Sequence, residues 1–271
     1  MDAFGIVVVG HRGLLPRRGL RYRNRRPVQP TPVDILAAHY RKPAVMTFKA
    51  ITLDLDDTLW PVWPTIRAAE AAANAWFAEH APSVLDAWSS EGRMALRQRI
   101  VSAHPQHAHD LGFIRREMFR QMLGDCGHDP GHTETVYAIF MAARQQVNLY
   151  DGAGEALARL AARYPIVAIS NGNADLRAIG LDQHFRGALS ASDFGAAKPD
   201  PAIFHAACTA LALPPDAVLH IGDDAHADVV GARRAGLRAG WINAEGLAWT
   251  HEEHAPEIEA ESFAALVDQL L

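Results

Sequence analysis

A chain of 271 residues with 49% hydrophobic and 21% charged residues is long enough to bury a substantial core, and its composition is that of a folded globular protein. No apolar run approaches the ~20 residues of a membrane-spanning helix, so a protein built on such helices is excluded and no membrane partner is expected. The formal charge of −5 joins two unlike parts: nine Lys/Arg against two Asp before Met46, or +7, and 17 basic against 29 acidic residues from Met46 onward, or −12.

The two cysteines, Cys126 and Cys208, fall in unrelated contexts and suggest neither a disulfide framework nor a zinc site. A reducing, cytoplasmic setting is the expectation. Residues 1–45 hold six arginines between Arg17 and Arg26, then Pro27, Pro30 and Pro32, and cannot build a core. Their short apolar stretch precedes the arginines, which is the wrong order for a secretory signal. No aromatic ladder or reading helix accompanies the charge, so nucleic acid is not an expected partner. The arm is expected to be a disordered or loosely docked extension, and Met46-Thr47-Phe48-Lys49 is a natural alternative start.

Ala50–Leu55 reads as a strand buried on both faces of a parallel sheet and ends in carboxylates. Ile166–Ile169, Val218–Ile221 and Leu237–Ile242 repeat the pattern, with helices expected over Gly154–Arg163, Pro201–Leu211 (capped by Asp200) and Ala225–Ala235. This is a doubly wound α/β core, a Rossmann-like parallel sheet, over residues 46–61 and 150–271. A βα repeat takes roughly 30 residues, yet about 100 separate Asp54 from the helix near Gly154. Within that interval Ile66, Ala69, Ala73 and Phe77, then Phe113, Met118 and Met122, then Val136, Phe140 and Ala143 recur at helical spacing. An inserted α-helical cap domain is therefore expected over residues 62–149.

The strand ends carry the chemistry. Asp54 and Asp56 share a side of the first strand by its period of two, and such a pair repels unless a cation lies between or one member is protonated. Taken singly, Ser170-Asn171-Gly172, Lys198-Pro199 and Gly222-Asp223-Asp224 are a common turn, a surface lysine and a helix start. Taken in order after successive strands, they form one site, where carboxylate oxygens suit Mg²⁺. A carboxylate nucleophile, a hard metal and a lysine converging on phosphate describe phosphoryl transfer through an aspartyl-phosphate.

Asp54-Leu55-Asp56-Asp57-Thr58, Ser170-Asn171, Lys198-Pro199 and Gly222-Asp223-Asp224 with Asp228 resemble, in order, the four motifs of the haloacid dehalogenase (HAD) superfamily, from about Thr47 to the end of the chain. The helical insertion after the first motif resembles the C1-capped members. The resemblance implies that Asp54 attacks phosphorus, and that Asp56 protonates the leaving oxygen and later activates water. It implies that Thr58 and Ser170 hold the phosphoryl group with Asn171 nearby, and that Lys198 offsets charge. Asp54, the backbone carbonyl of Asp56 and Asp223 would bind Mg²⁺, while Asp224 and Asp228 orient the loop. Dehalogenases of the superfamily lack the aspartate two residues after the nucleophile, so Asp56 points to phosphate chemistry.

Ile169–Ala174, His220–Ala232, Gly240-Trp241-Ile242 and His109-Asp110 with Arg115 are similar to the YigB-type phosphatases, which act on FMN and on 5-amino-6-(5-phospho-D-ribitylamino)uracil in riboflavin biosynthesis. A small phosphorylated metabolite of that pathway is thus the implied substrate. The alternatives are phosphoglycolate, nucleotide or sugar phosphates, a phosphosugar mutase, or a non-catalytic binding protein on the same fold. Arg115 is expected to reach the substrate from the insertion. Trp60 and Trp63 are candidates either for stacking on a planar ring or for the core. His104, His107 and His109 read as a polar loop and helix start rather than a metal site.

Overall fold

The computed structural model describes residues 47–251 and 254–271; the extension expected over 1–45 and the alternative start at Met46 lie outside the described residues. In chain order the elements are β1 (Ala50–Leu53), then α1 (Val62–His80), α2 (Pro82–Ala87), α3 (Ser90–Ala103), α4 (Leu111–Asp125) and α5 (Thr133–Arg144). The core resumes with α6 (Ala153–Arg163), β2 (Ile166–Ser170), α7 (Leu176–Ile179), β3 (Gly187–Ser190), α8 (Ala191–Phe194) and α9 (Pro201–Leu211). It closes with β4 (Val218–Gly222), a π-helical turn (Ala225–Val230) running into α10 (Gly231–Arg234), then β5 (Arg238–Ile242), β6 (Ile258–Ala260) and α11 (Phe263–Leu270).

The six strands form one parallel sheet in the order β3-β2-β1-β4-β5-β6. β1 is central: Ile51 pairs with Ile166 on one side and Leu219 on the other, and all four of its residues are buried. On one face Val167, Ile169, Ala239 and Trp241 pack with Ile203, Phe204 and Ala207 of α9 and with Val229 and Ala232. Gly240, between Ala239 and Trp241, faces the other way, where an added Cβ would lie 3.3 Å from Leu266 of α11. The fold is a doubly wound α/β sheet. The chain runs outward from β1 through β2 to β3, then crosses back to β4 on the other side of β1 and continues outward to β6; this reversal of direction beside β1 opens a crevice at the strands' carboxyl ends.

Two strands escape the sequence reading, for a physical reason. β3 is a partly exposed Gly-Ala-Leu-Ser without an apolar run, and β6 is a three-residue edge strand, so neither carries the buried signature of β1. The first strand also stops two residues short of the expected Leu55, although the Asp54 N–H still donates to Ile221 O at 2.9 Å. The single helix expected over Ala225–Ala235 is a π-helical turn followed by a short α-helix.

Helices α1–α5 surround a hydrophobic cluster of their own: Ala69, Ala73 and Phe77 meet Met118, Phe119 and Met122 and, from α5, Val136 and Phe140. Phe77 meets Phe119 edge-on at 5.7 Å. Breaks fall after His80, around His104-Pro105 and between Asp125 and Thr133, where proline or turn residues end each apolar stripe. Entry and exit of this segment are tied together, since the Tyr150 N–H donates to Leu59 O at 2.9 Å. Among the described residues, no helix is long and apolar enough to cross a membrane.

Candidate active site

Each strand of the central group delivers one part of the site. β1 ends at Leu53, so Asp54 and Asp56 enter the crevice. Asp57 then takes a left-handed backbone (φ 57°), and its Oδ1 accepts the Val62 N–H at 2.8 Å, which starts α1. β2 ends in Ser170, β4 in Gly222, and the lysine loop lies just ahead of α9, whose first turn is capped by Asp200 accepting from Ala202 N–H. These segments line a cleft of about 250 Å³ bounded by Asp54, Asp56, Ser170, Lys198, Asp223 and Asp228. A larger hollow of about 590 Å³ runs beside β3 between Asp175, Arg186 and Asp193; it contains none of the clustered carboxylates or the lysine, so the smaller cleft is the candidate site.

Lys198 is buried between two carboxylates, donating to Asp54 Oδ1 at 2.5 Å and Asp228 Oδ1 at 2.6 Å. Burial by itself disfavours its charge, but Asp228 and Asp54 hold the ammonium above its ordinary range. Behind Asp228 lies fully buried His220, with Nε2 3.0 Å from Asp228 Oδ1 and Nδ1 2.9 Å from Thr52 Oγ1. Burial lowers the His220 value, outweighing Asp228, which acts in the opposite direction. Burial likewise pushes Asp228 up, yet Lys198 and His220 together carry it well below the carboxylate range. The Asp228 backbone sits in the π-helical turn, an irregularity often found where a helix aims a functional side chain.

The remaining carboxylates are under-compensated. Burial raises Asp54 well above its ordinary range; Lys198 pulls it back, while Asp228 and Asp223 push it further up. Asp223 is pushed up to about 7, first by burial and then by Asp228, with the Thr58 hydroxyl opposing at 3.0 Å from Oδ1. Oxygen atoms of Asp54, Asp223 and Asp228 all lie within 4.8 Å of one another, the only such group of metal-capable side chains among the described residues. Lys198 hydrogen-bonds Asp54 and Asp228 but acts on Asp223 only through space, so negative charge between Asp54 and Asp223 is the least compensated. Hard carboxylate donors in that arrangement fit Mg²⁺.

The other expected site residues have the following partners. Thr58, expected on the phosphoryl group, is fully buried and donates to Asp223. Asn171 brackets the lysine loop: its Oδ1 accepts the Lys198 N–H at 2.8 Å and its Nδ2 donates to Lys198 O at 2.9 Å. Ser170 lines the cleft with Oγ accepting the Gly172 N–H at 2.9 Å, which leaves its own hydroxyl hydrogen to donate to a ligand. Arg115 does not line the cleft. Its guanidinium pairs with Glu70 at 3.2 Å and lies 4.4 Å from the Phe140 ring centroid, inside the helical segment. Asp224 caps the π-helical turn through the His226 and Ala227 N–H groups. Trp60 is core, while Trp63 is 66% exposed. His107 stacks on Phe113 at 4.2 Å, and Asp110 caps α4, as a polar loop and helix start would have it.

The sequence reading also missed a residue. Arg144, the last residue of α5 and only 1% exposed, places Nη2 2.6 and 2.7 Å from the two oxygens of Asp56, and Trp60 Nε1 donates to Asp56 Oδ1 at 2.8 Å. A signal was present: Arg144 falls four and eight positions after Phe140 and Val136, a charge on an otherwise buried stripe just before the chain returns to the core.

Comparison with known proteins covers this whole site. Residues 48–236 match the family model of haloacid dehalogenase-like hydrolases. The chain is 32% identical over 200 residues to the 5-amino-6-(5-phospho-D-ribitylamino)uracil phosphatase YigB of Escherichia coli, spanning 72% of this chain and 84% of that one. It is 30% identical to the phosphoserine phosphatase of Thermus thermophilus, over 78% of this chain and 94% of the relative. Among solved structures it resembles a 2-haloacid dehalogenase of Pseudomonas syringae with a TM-score of 0.77 and 36% identity, covering 83% of this chain and 98% of that one. All residues of the cleft, from Asp54 to Asp228, lie inside the matched span, and the chain belongs to the haloacid dehalogenase-like hydrolases.

Proposed function

We propose that this hydrolase is a Mg²⁺-dependent phosphomonoesterase acting on a small phosphorylated metabolite in the cytoplasm, with FMN or 5-amino-6-(5-phospho-D-ribitylamino)uracil as the first substrates to test. The observation that carries the reading is Asp56: a second carboxyl lines the same cleft as Asp54, two residues on, where an acid and base is needed beside a nucleophile. The phosphatase names of two relatives, over more than 70% of this chain, support the same chemistry and a small substrate. Two unpaired cysteines support the reducing compartment.

In this reading Asp54 attacks phosphorus and the bond from phosphorus to the ester oxygen breaks, while Asp56 gives its proton to the departing alcohol. The Asp56 carboxylate then takes a proton from water, the water oxygen bonds to phosphorus, and the acyl phosphate bond to Asp54 breaks, releasing phosphate. Ser170 donates to a phosphoryl oxygen, and Lys198 neutralises Asp54. Thr58 steadies Asp223, and Asn171 fixes the lysine loop. Asp54, Asp223 and the backbone carbonyl of Asp56 would hold Mg²⁺, which supplies positive charge to the transferring phosphoryl group when bound. The five helices α1–α5, with their own hydrophobic cluster, act as a cap over residues 62–149 on a core of residues 46–61 and 150–271.

The test is a panel assay on purified protein with FMN, the ribitylaminouracil phosphate, phosphoserine, phosphoglycolate and 2-chloropropionate, each with Mg²⁺ or EDTA. Phosphate release that needs Mg²⁺ is the expected result. Halide release from 2-chloropropionate with no phosphate from any ester would overturn the reading.

A further inference from the structure

We propose that Arg144 is the positioning residue for Asp56, a clamp supplied by the last turn of α5 that fixes the acid and base group against the core. The inference rests on the phosphatase reading and adds a residue to it. Three observations carry it. Arg144 is 1% exposed and spends Nη2 on both Asp56 oxygens, at 2.6 and 2.7 Å, across 88 residues of sequence. Among the described residues its buried Nε and Nη1 have no hydrogen-bond partner, so Asp56 is the one protein group that the guanidinium engages. A cation buried on those terms is a poor source of stability, which favours a role in placing its partner. Finally, the surroundings leave Asp56 little choice: Trp60 Nε1 holds Oδ1 at 2.8 Å, and Gly172 makes room for Oδ2, since a Cβ there would lie 2.3 Å away.

The clamp has a chemical consequence that simple packing lacks. A displaced Asp56 fails to protonate a poor leaving group, whereas p-nitrophenolate departs without much help. Loss of Arg144 should therefore depend on the alcohol released. The experiment compares wild type, R144M, R144K, D56N and the R144M/D56N double variant on p-nitrophenyl phosphate and phenyl phosphate. The readout is kcat/KM, which reports the steps up to alcohol release, with thermal unfolding of every variant as a folding control.

For R144M the kcat/KM on phenyl phosphate should fall about 10²-fold, at least about tenfold more than on p-nitrophenyl phosphate, with the loss in kcat rather than KM. R144K, which keeps a cation without the planar fork, should restore only part of the leaving-group selectivity. On the D56N background R144M should add little to that selectivity, because both changes remove one function. Equal losses on the two esters, or additive losses in the double variant, would overturn the clamp and leave the phosphatase reading standing. If R144M does not fold, R144K decides: wild-type selectivity in R144K overturns the clamp. A wild-type enzyme inactive on both esters and on the whole substrate panel overturns both readings together.

Discussion

The sharpest test of the Asp56 geometry is the smallest side-chain addition next to it. Gly172 follows Ser170 and Asn171 at the end of β2, and its backbone does not adopt the left-handed conformation that an alanine would resist. A Cβ placed there would lie 2.3 Å from Asp56 Oδ2, 3.2 Å from Ser170 Oγ and 3.5 Å from Arg144 Nη2. Ordinary contact begins at 3.4 Å, so G172A forces Oδ2 to retreat by about 1 Å, and a misplacement of that size costs about 10²-fold in rate. The retreat also weakens the bond to the buried Arg144. However little the pair adds in net terms, weakening it strands a buried guanidinium at a cost of about 2 kcal/mol, which for a chain of this length corresponds to a fall in Tm of roughly 6 °C. The assay is kcat/KM for Mg²⁺-dependent phosphate release beside thermal unfolding by circular dichroism. G187A is the control, since a Cβ on Gly187 meets nothing within 4 Å. A folded G172A enzyme with wild-type kcat/KM would refute this placement of Asp56.

Replacing Asp54 with Asn should leave the circular dichroism spectrum unchanged and lower turnover by roughly 10⁴-fold or more; substantial activity in D54N would remove it as the nucleophile. K198M strands the buried Asp54 and Asp228 carboxylates without their shared cation, and should cost about 3–5 kcal/mol of stability in urea denaturation at pH 7; wild-type stability would show that the lysine is not what reconciles them. Burial pushes Asp223 up to about 7 and raises Asp54 as well, so the folded protein binds protons more tightly than the unfolded chain at both sites. Their contribution to stability is therefore full below the ordinary carboxylate range and is lost as pH rises through about 7, whereas that of Asp228, which is depressed, is lost only in strong acid. In EDTA the Tm should fall between about pH 5 and pH 8, and Mg²⁺ should reverse most of the fall; a Tm that is flat or rises with pH in EDTA would contradict the charge excess assigned to the Asp54 and Asp223 pair.

The chain's own order of residues was enough for the sheet's buried strands and for the polar ends that line the cleft. β1, β2, β4 and β5 are short apolar runs that a parallel sheet buries on both faces, and Asp54, Ser170 and Asp223 follow directly at their carboxyl ends. The helices between β1 and β2 were equally legible, because the stripes Ala69-Ala73-Phe77 and Val136-Phe140 repeat at helical spacing. Local pattern also placed the Asp200 cap and the breaks between helices.

What only the tertiary structure decided are partners far apart in sequence. Periodicity marks Arg144 as a charge on a buried stripe but says nothing of Asp56, which reaches it only after five helices have returned the chain to the core. Asn171 and Thr58 belong to the expected motifs, yet whether each faces a ligand or a neighbouring loop depends on the lysine loop and β4 arriving from more than 25 and 160 positions away. Arg115 shows the converse: motif context sent it toward a substrate, while packing gave it Glu70 and Phe140. The physical reason is common to all four. Apolar pattern is a local property, set by which side of a helix or strand avoids water. A charged or hydrogen-bonding group is committed by whichever partner the folded chain brings within about 3 Å, and that choice is made only when the elements are assembled.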